Sequence, residues 1–423
     1  MTNNNKMGYW SVLAIGVGGM VGGGIFAVLG LAVQLAHGGT PLAFLIAGLV
    51  ALLTTYSYAK LSVAFPDQGG TVTFLNQAFG SGLFAGSLNI LLWLSYIIML
   101  SLYAYAFGSY GATFLPPDWQ AAGKHVLITL GVVGITGLNL LGAQAIGRAE
   151  SGIVAVKILI LLAFIAVGIW GIQPDKLAPA AWATPVQVVA GGFIIFLAYE
   201  GFELIANAAQ DTADPERTLP RAYYSAVLFV ILLYVLVAAV TVGSLPVEQI
   251  VAAKDYALAA AAKPFLGQAG FTLIAIAALL STASAINATL YGAARLSYII
   301  AQDGELPEVL EKKVWSRPVL GLLITTGLTL LVANLFDLNS IATMGSSGFL
   351  LIFMAVNVAN VKLAIKTDSR RWLSMSGALA CLLALLALLW QTELETPLKL
   401  LILVGVLGLS VGIEGVYRLL DKR

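Results

Sequence analysis

Charge is what this chain has least of: only 10% of its 423 residues are Asp, Glu, Lys or Arg, where a soluble domain carries about 25%. So few charges cannot cover a water-exposed surface of this size, which excludes a soluble globular enzyme or binding domain. Cysteine is nearly absent. Cys381 stands alone in "GALACLLALLALLW", where it can form no internal disulfide and is expected to pack against lipid or a neighbouring helix. Two separated histidines, His37 and His125, and one cysteine offer no metal cluster, so no metal and no cofactor is expected. The net charge of +1 comes without a basic block, which argues against nucleic acid. A GxxxxGK[ST] phosphate loop is missing, which argues against an ATP-driven pump.

What the chain has instead is apolar length. Hydrophobic residues make up 59% of it, in runs of about 20, the length an α-helix needs to cross a bilayer. Twelve candidate spans run roughly 9–36, 40–65, 83–113, 124–141, 149–172, 186–208, 220–244, 267–300, 318–336, 338–363, 372–390 and 397–418. The expected fold is therefore an all-α integral membrane protein of twelve transmembrane helices. With the N-terminus in the cytoplasm, sixteen of the 22 basic residues fall inside, five outside, and Lys157 alone falls within a span. That bias is the one the positive-inside rule demands, so both termini are expected in the cytoplasm of a multi-pass cell (inner) membrane protein. The first apolar run is too long and too glycine-broken for a cleaved signal peptide, and is expected to remain as helix 1.

Within helix 1 lies "GVGGMVGGGIF", Gly16 to Phe26, with six glycines in mid-membrane. Each costs a helix about 1 kcal/mol relative to alanine. Close helix packing through Gly18 and Gly22, or Gly19 and Gly23, is one explanation. A functional break is the other: freed N–H groups at the start of a second half-helix suit an anion such as a carboxylate, and freed carbonyls suit cations. Helix 6 carries a second anomaly, "FLAYEGFELIANAAQD", with Glu200 and Glu203 around Gly201. A carboxylate near the bilayer centre costs on the order of 2.5–3.5 kcal/mol, so both are expected to face the protein interior. Interruptions at corresponding positions of two five-helix halves point to a secondary transporter built from inverted repeats.

At these residues the chain resembles the amino acid–polyamine–organocation (APC) transporters. "VGGGIF" at Val21–Phe26 looks like that family's helix 1 motif and "FLAYEGFE" at Phe196–Glu203 like its helix 6 motif. "DPERTLPRA" at Asp214–Ala222 resembles its loop after helix 6, and "NATLYGAARLSYIIAQDGELP" at Asn287–Pro307 its helix 8 and the following loop. The resemblance implies a ten-helix inverted-repeat core, residues 1–363, with helices 11 and 12 peripheral in 364–423. It implies an amino acid held between the two breaks. The backbone N–H groups of Gly22, Gly23 and Gly24, next to Ile25, would hold its carboxylate. Carbonyls near Val21, Phe196 and Tyr199, beside Gly201, would meet its amino group. Gly23 departs from the common serine or alanine of the motif, which is expected to widen the pocket floor.

In the same light, Lys157 would take the place of a sodium ion. Its ammonium would tie helix 5 to carbonyls around Ile15–Gly18 and to Ser281 or Ser284 of helix 8, making transport proton-coupled. The bland reading is a lysine about eight residues into helix 5 that snorkels to the interface. Glu203 is expected to cap the unwound segment. Glu200 would carry protons, attract a cationic substrate group or face a solvated vestibule. Tyr96 or Tyr103 of the aromatic-rich helix 3 would wall the pocket, while bulk packing explains most of that cluster. The leading expectation is a proton-coupled amino acid symporter working by alternating access, with amino acid, protons and lipid as its partners. An amino acid or polyamine exchanger or a sodium-coupled carrier are the alternatives. A channel lacks its pore rings, a sensor its extramembrane domain, and an enzyme any nucleophile–base pair.

Overall fold

A computed structural model describes residues 6–141, 144–311, 318–395 and 397–421. Eight of its helices are long and apolar enough to cross a membrane, and two bent pairs raise that to ten. Helix 1 runs Tyr9–Met20 and Gly24–Ala36, helix 2 Thr40–Ala64, helix 3 Leu83–Ala112, helix 4 Pro117–Leu141 and helix 5 Gln144–Gly168. Helix 6 runs Pro185–Ile194 and continues, after its break, as Phe202–Asp211, followed by helix 7 at Pro215–Ser244. Helix 8 lies within Ala257–Gln302, helix 10 is Leu338–Lys362 and helix 11 Arg371–Glu395. The shorter Val319–Leu335 and the C-terminal Pro397–Asp421 stand as helices 9 and 12 and complete the twelve. Among the described residues no strand occurs. Of the basic residues sorted by side, Lys312, Lys313, Arg317, Lys422 and Arg423 lie outside the described residues.

Several helices begin earlier than hydrophobicity alone suggests, because proline is accepted in the first turn, where its missing N–H costs nothing. Helix 4 starts at Pro117 rather than 124, and helix 7 at Pro215, so most of "DPERTLPRA" is helix rather than loop. Helix 6 opens on a reciprocal cap, in which Thr184 and Gln187 each accept a hydrogen bond from the other's backbone N–H. Helix 8 is preceded by a helical arm at 257–266, set off by Gly267, whose φ of 61° breaks the winding. Helix 5 begins at Gln144 instead of 149. That puts Lys157 thirteen residues from its start, roughly 20 Å at 1.5 Å per residue, instead of the shallower depth expected.

The outward surface is apolar where lipid would lie. Trp10 and Trp372 are exposed at one end of the bundle, and Trp119, Trp170 and Trp390 at the other, as membrane-interface belts require. Cys381 is fully buried, against Thr54 of helix 2 and Asn357 of helix 10, so it faces helices and not lipid. The core is aromatic at its centre. Tyr58 of helix 2 meets the ring edges of Phe202 and Phe353 at 5.4 and 5.7 Å.

Helices 1 and 6 are strapped together at both ends. Before helix 1, Met7 N donates to Asp211 O at 2.8 Å and Ala213 N to Met7 O at 2.9 Å. After it, Gly38 N donates to Ala181 O, and Ala183 N to Ala36 O. These backbone bonds couple the two interrupted helices outside the membrane interior as well as within it.

Candidate functional site

Helix 1 bends by 45° across Val21–Gly23. In an unbroken helix the carbonyls of Gly18, Met20 and Gly22 would accept from the N–H groups four residues on. Here each meets a side chain from a different helix. Lys157 Nζ of helix 5 donates to Gly18 O at 3.2 Å, Tyr234 of helix 7 to Met20 O at 2.6 Å, and Ser281 of helix 8 to Gly22 O at 2.7 Å. Lys157 is 2% exposed, so its ammonium is held inside the protein and not at water. Ser281 therefore serves the break itself, and Ser284, one turn along, is buried beside it in helix 8.

With those carbonyls answered by protein donors, the N–H groups of Gly22, Gly23 and Gly24 remain at the start of the second half-helix, where no residue four positions earlier can pair with them. Buried N–H groups of that kind need a partner. The half-helix dipole adds partial positive charge at the same point. Chemically, N–H groups so placed suit an anion such as a carboxylate.

Helix 6 bends by 50° and is held differently. Ser346 of helix 10 bridges the break, donating to Ile194 O at 2.9 Å and accepting from Leu197 N at 3.1 Å. Phe196–Tyr199 then turns tightly, with Ala198 N bonded to Ile195 O and Glu200 N to Leu197 O. Gly201 has φ +120°, a conformation that side chains resist. The Glu203 carboxylate accepts from Gly201 N at 2.7 Å and from the Tyr96 hydroxyl at 3.0 Å. The segment after it, Phe202–Asp211, keeps a tighter 3₁₀ winding instead of the α-helix expected there. Glu200 is 3% exposed and interacts with Glu203 and with the Tyr103 hydroxyl, so it does not face a solvated vestibule. The side chains of Phe196 and Tyr199 are engaged by other helices. Phe196 packs on Phe353, and Tyr199 donates to Phe44 O at 2.8 Å.

The breaks touch backbone to backbone. A Cβ on Gly201 would fall 2.4 Å from Gly19 C and 2.5 Å from Met20 N, and one on Gly24 would lie 3.0 Å from Ala198 Cα. Packing and interruption are thus both true of the helix 1 glycines, since Gly16 makes room for Ile205 and Gly18 for Val154. Gly23 does not widen the floor. The space its missing side chain leaves is filled by the Tyr103 ring, 2.5 Å from the Cβ position, with Thr282 at 3.0 Å. Hydrophobic Val21 and Ile25 are fully buried. Beside Lys157, a cleft of about 210 Å³ between helices 5 and 8, open to the outer surface, is walled by Ile153, Val156, Ile160, Ala277 and Leu280.

Tyr234, Ser346 and Thr282 escaped sequence reasoning. Tyr234 is a lone polar residue in a long apolar run, Thr282 sits among small hydroxyl residues in "LLSTASA", and nothing in either run says which way they point. The double serine of "MGSSGF" in helix 10 was the one available signal.

Paired broken helices crossing backbone to backbone, inside a bundle of apolar spans, define a membrane transporter and not an enzyme. The chain belongs to the amino acid permease family, whose model matches residues 7–408. It is 37% identical to protein MJ0609 of Methanocaldococcus jannaschii over 99% of this chain and 97% of that one. It is 34% identical to the inner membrane transport protein YbaT of Escherichia coli, covering 97% and 96%. The branched-chain amino acid permease BcaP of Bacillus subtilis is 28% identical, over 94% of this chain and 91% of its own.

Proposed function

We propose that this permease takes up amino acids by alternating access and couples that movement to protons rather than sodium. The observation that carries the coupling is the buried Lys157 ammonium on the Gly18 carbonyl at the helix 1 break. A metal cation within a few ångströms of it would meet strong repulsion. The charged lysine ties helix 5 to helix 1, and its deprotonation releases the tie, biasing one face of the transport cycle. The substrate carboxylate sits on the N–H groups of Gly22–Gly24, and its amino group on the carbonyls of Val21 and of the Phe196–Gly201 turn. Glu200, reached through Tyr103, biases the pocket toward substrates or protonation states of particular charge. The branched-chain permease among the relatives makes branched-chain amino acids the first candidates. Both termini lie in the cytoplasm, residues 1–363 form the moving core, and 364–423 flank it.

The test is uptake into proteoliposomes under an imposed pH gradient, with sodium present or replaced by choline. Wild type should concentrate substrate equally in both. Lys157→Ala should bind substrate, because the pocket lies beyond the break, yet lose accumulation driven by the gradient. Strict sodium dependence in the wild type would overturn the coupling. So would a Lys157→Ala variant that concentrates substrate normally.

A further inference from the structure

At the end of the bundle that carries both termini, away from the breaks, a second set of ionisable groups is buried. Glu305, in the loop after helix 8, is 0% exposed, as is Glu414 of helix 12. Both rest on one face of helix 3. Asn89 Nδ2 donates to Glu305 Oε2 at 2.7 Å, and Gly86, one turn earlier, leaves the space that the Glu414 carboxylate fills. The network continues outward. Asn89 also donates to Asn76 Oδ1 on the short helix Thr71–Phe79, and Asn76 donates to Asp303 Oδ2 at 2.8 Å. Three carboxylates, Asp303, Glu305 and Glu414, therefore gather with a single described cation, Arg418. Its guanidinium is already committed to Glu414 Oε1, at 2.5 Å, and to Ser81 O. Helix 9 brings no charged residue, helix 10 brings Lys362, whose ammonium lies over the Phe79 ring at 5.3 Å, and Asp67 adds a further negative charge beside Asp303.

The hydrogen bonding does not close. Glu305 Oε1, Glu414 Oε2 and Asn89 Oδ1 are buried without a partner, and all three are acceptors. A neutral amide is Glu305's one donor, which cannot offset the burial of an ionised carboxylate beside two others. What the cluster lacks is a hydrogen, not another acceptor.

We propose that Glu305 is a proton-binding site, separate from the substrate pocket and from Lys157, and that the bound proton holds helix 12 and the loop after helix 8 against helix 3. The proton turns one orphaned acceptor into a donor and removes the charge that repels Glu414. Burial, together with the Glu414 and Asp303 charges, pushes the Glu305 carboxyl up to about 7, against the pull of Asn89 and Arg418. The folded site holds its proton more tightly than an unfolded chain does. Its contribution to stability is therefore complete in acid and is lost as pH rises through neutrality. This end would then report the pH of the compartment it faces.

Infrared difference spectra of the full-length protein in liposomes, titrated across neutrality, read this proton directly. A carboxylic-acid C=O band should vanish with a midpoint near neutral pH, and Glu305→Gln, which keeps the shape, should lack it. Hydrogen-exchange protection in the C-terminal half of helix 12, corrected for the base-catalysed intrinsic rate, should fall as pH rises through neutrality in the wild type and stay constant in Glu305→Gln. A band unchanged by Glu305→Gln would overturn the proposal. So would one erased by sodium, potassium or calcium at constant pH, which would make the ligand a hard cation. Because neither readout involves substrate or Lys157, failure here is distinguishable from failure of the proposed transport coupling.

Discussion

Helices 1 and 6 bend by similar amounts, 45° and 50°, at breaks made of different material. Helix 1 is interrupted by sheer glycine content, and its two halves are ordinary α-helices that restart within three residues. Its freed carbonyls are met from outside, by Lys157, Tyr234 and Ser281 of three other helices. Helix 6 has one critical glycine and supplies part of its own repair through Glu203, with Ser346 of helix 10 bridging the gap. The first break leaves N–H groups open at a half-helix start. The second answers its Gly201 N–H with a carboxylate. Helix 1 is thus the half of the site suited to an anion, and helix 6 the half that is braced.

That asymmetry can be broken in order of expected effect. The largest loss should come at the point where both breaks depend on one residue. Gly201→Ala places a Cβ on the Gly19–Met20 peptide and forces a side chain into φ +120°, so a destabilisation on the order of 3 kcal/mol is expected, with transport abolished. Denaturant unfolding of the solubilised protein measures it. A near-normal midpoint would mean that the helices can separate without cost, and the shared-backbone picture would be wrong.

Gly23→Leu comes next, because it should remove binding with less effect on folding. The leucine has to displace the Tyr103 ring and Thr282, filling the proposed anion seat while the membrane spans stay inserted. The thermal shift that wild type shows with millimolar amino acid should disappear. If the variant transports with unchanged KM, the helix 1 glycines are packing residues only.

Smallest is Ser346→Ala, which takes both bonds from the helix 6 brace. It should cost about 1–2 kcal/mol and lower transport rate more than binding, since the proposed anion seat on helix 1 is left intact. An equal loss from Ser347→Ala, whose buried hydroxyl has no partner, would show that the effect is polar burial in general and not the brace.

Much of this architecture was legible before any coordinates. Composition, span lengths and the sorting of basic residues required a twelve-helix membrane protein, because lipid accepts only backbones that satisfy themselves. The glycine run and the Glu200–Gly201–Glu203 cluster marked the two helices that violate that rule. The sequence also favoured an interior placement for Lys157, Glu200 and Glu203, since a charge facing lipid is too costly to keep. Apolar counting misjudged the starts of helices 4, 5 and 7, because polar first turns ahead of the hydrocarbon are invisible to hydropathy.

Only the tertiary structure decided which carbonyl each of Lys157, Tyr234 and Ser281 would meet, that Tyr103 fills the space beside Gly23, and that Glu305 and Glu414 share one face of helix 3. The physical reason is one of range. Solvation and helix formation act residue by residue and leave their mark on composition and spacing. A hydrogen bond between helices 100 or more positions apart depends on rotation and packing, which the linear pattern of apolar residues does not encode.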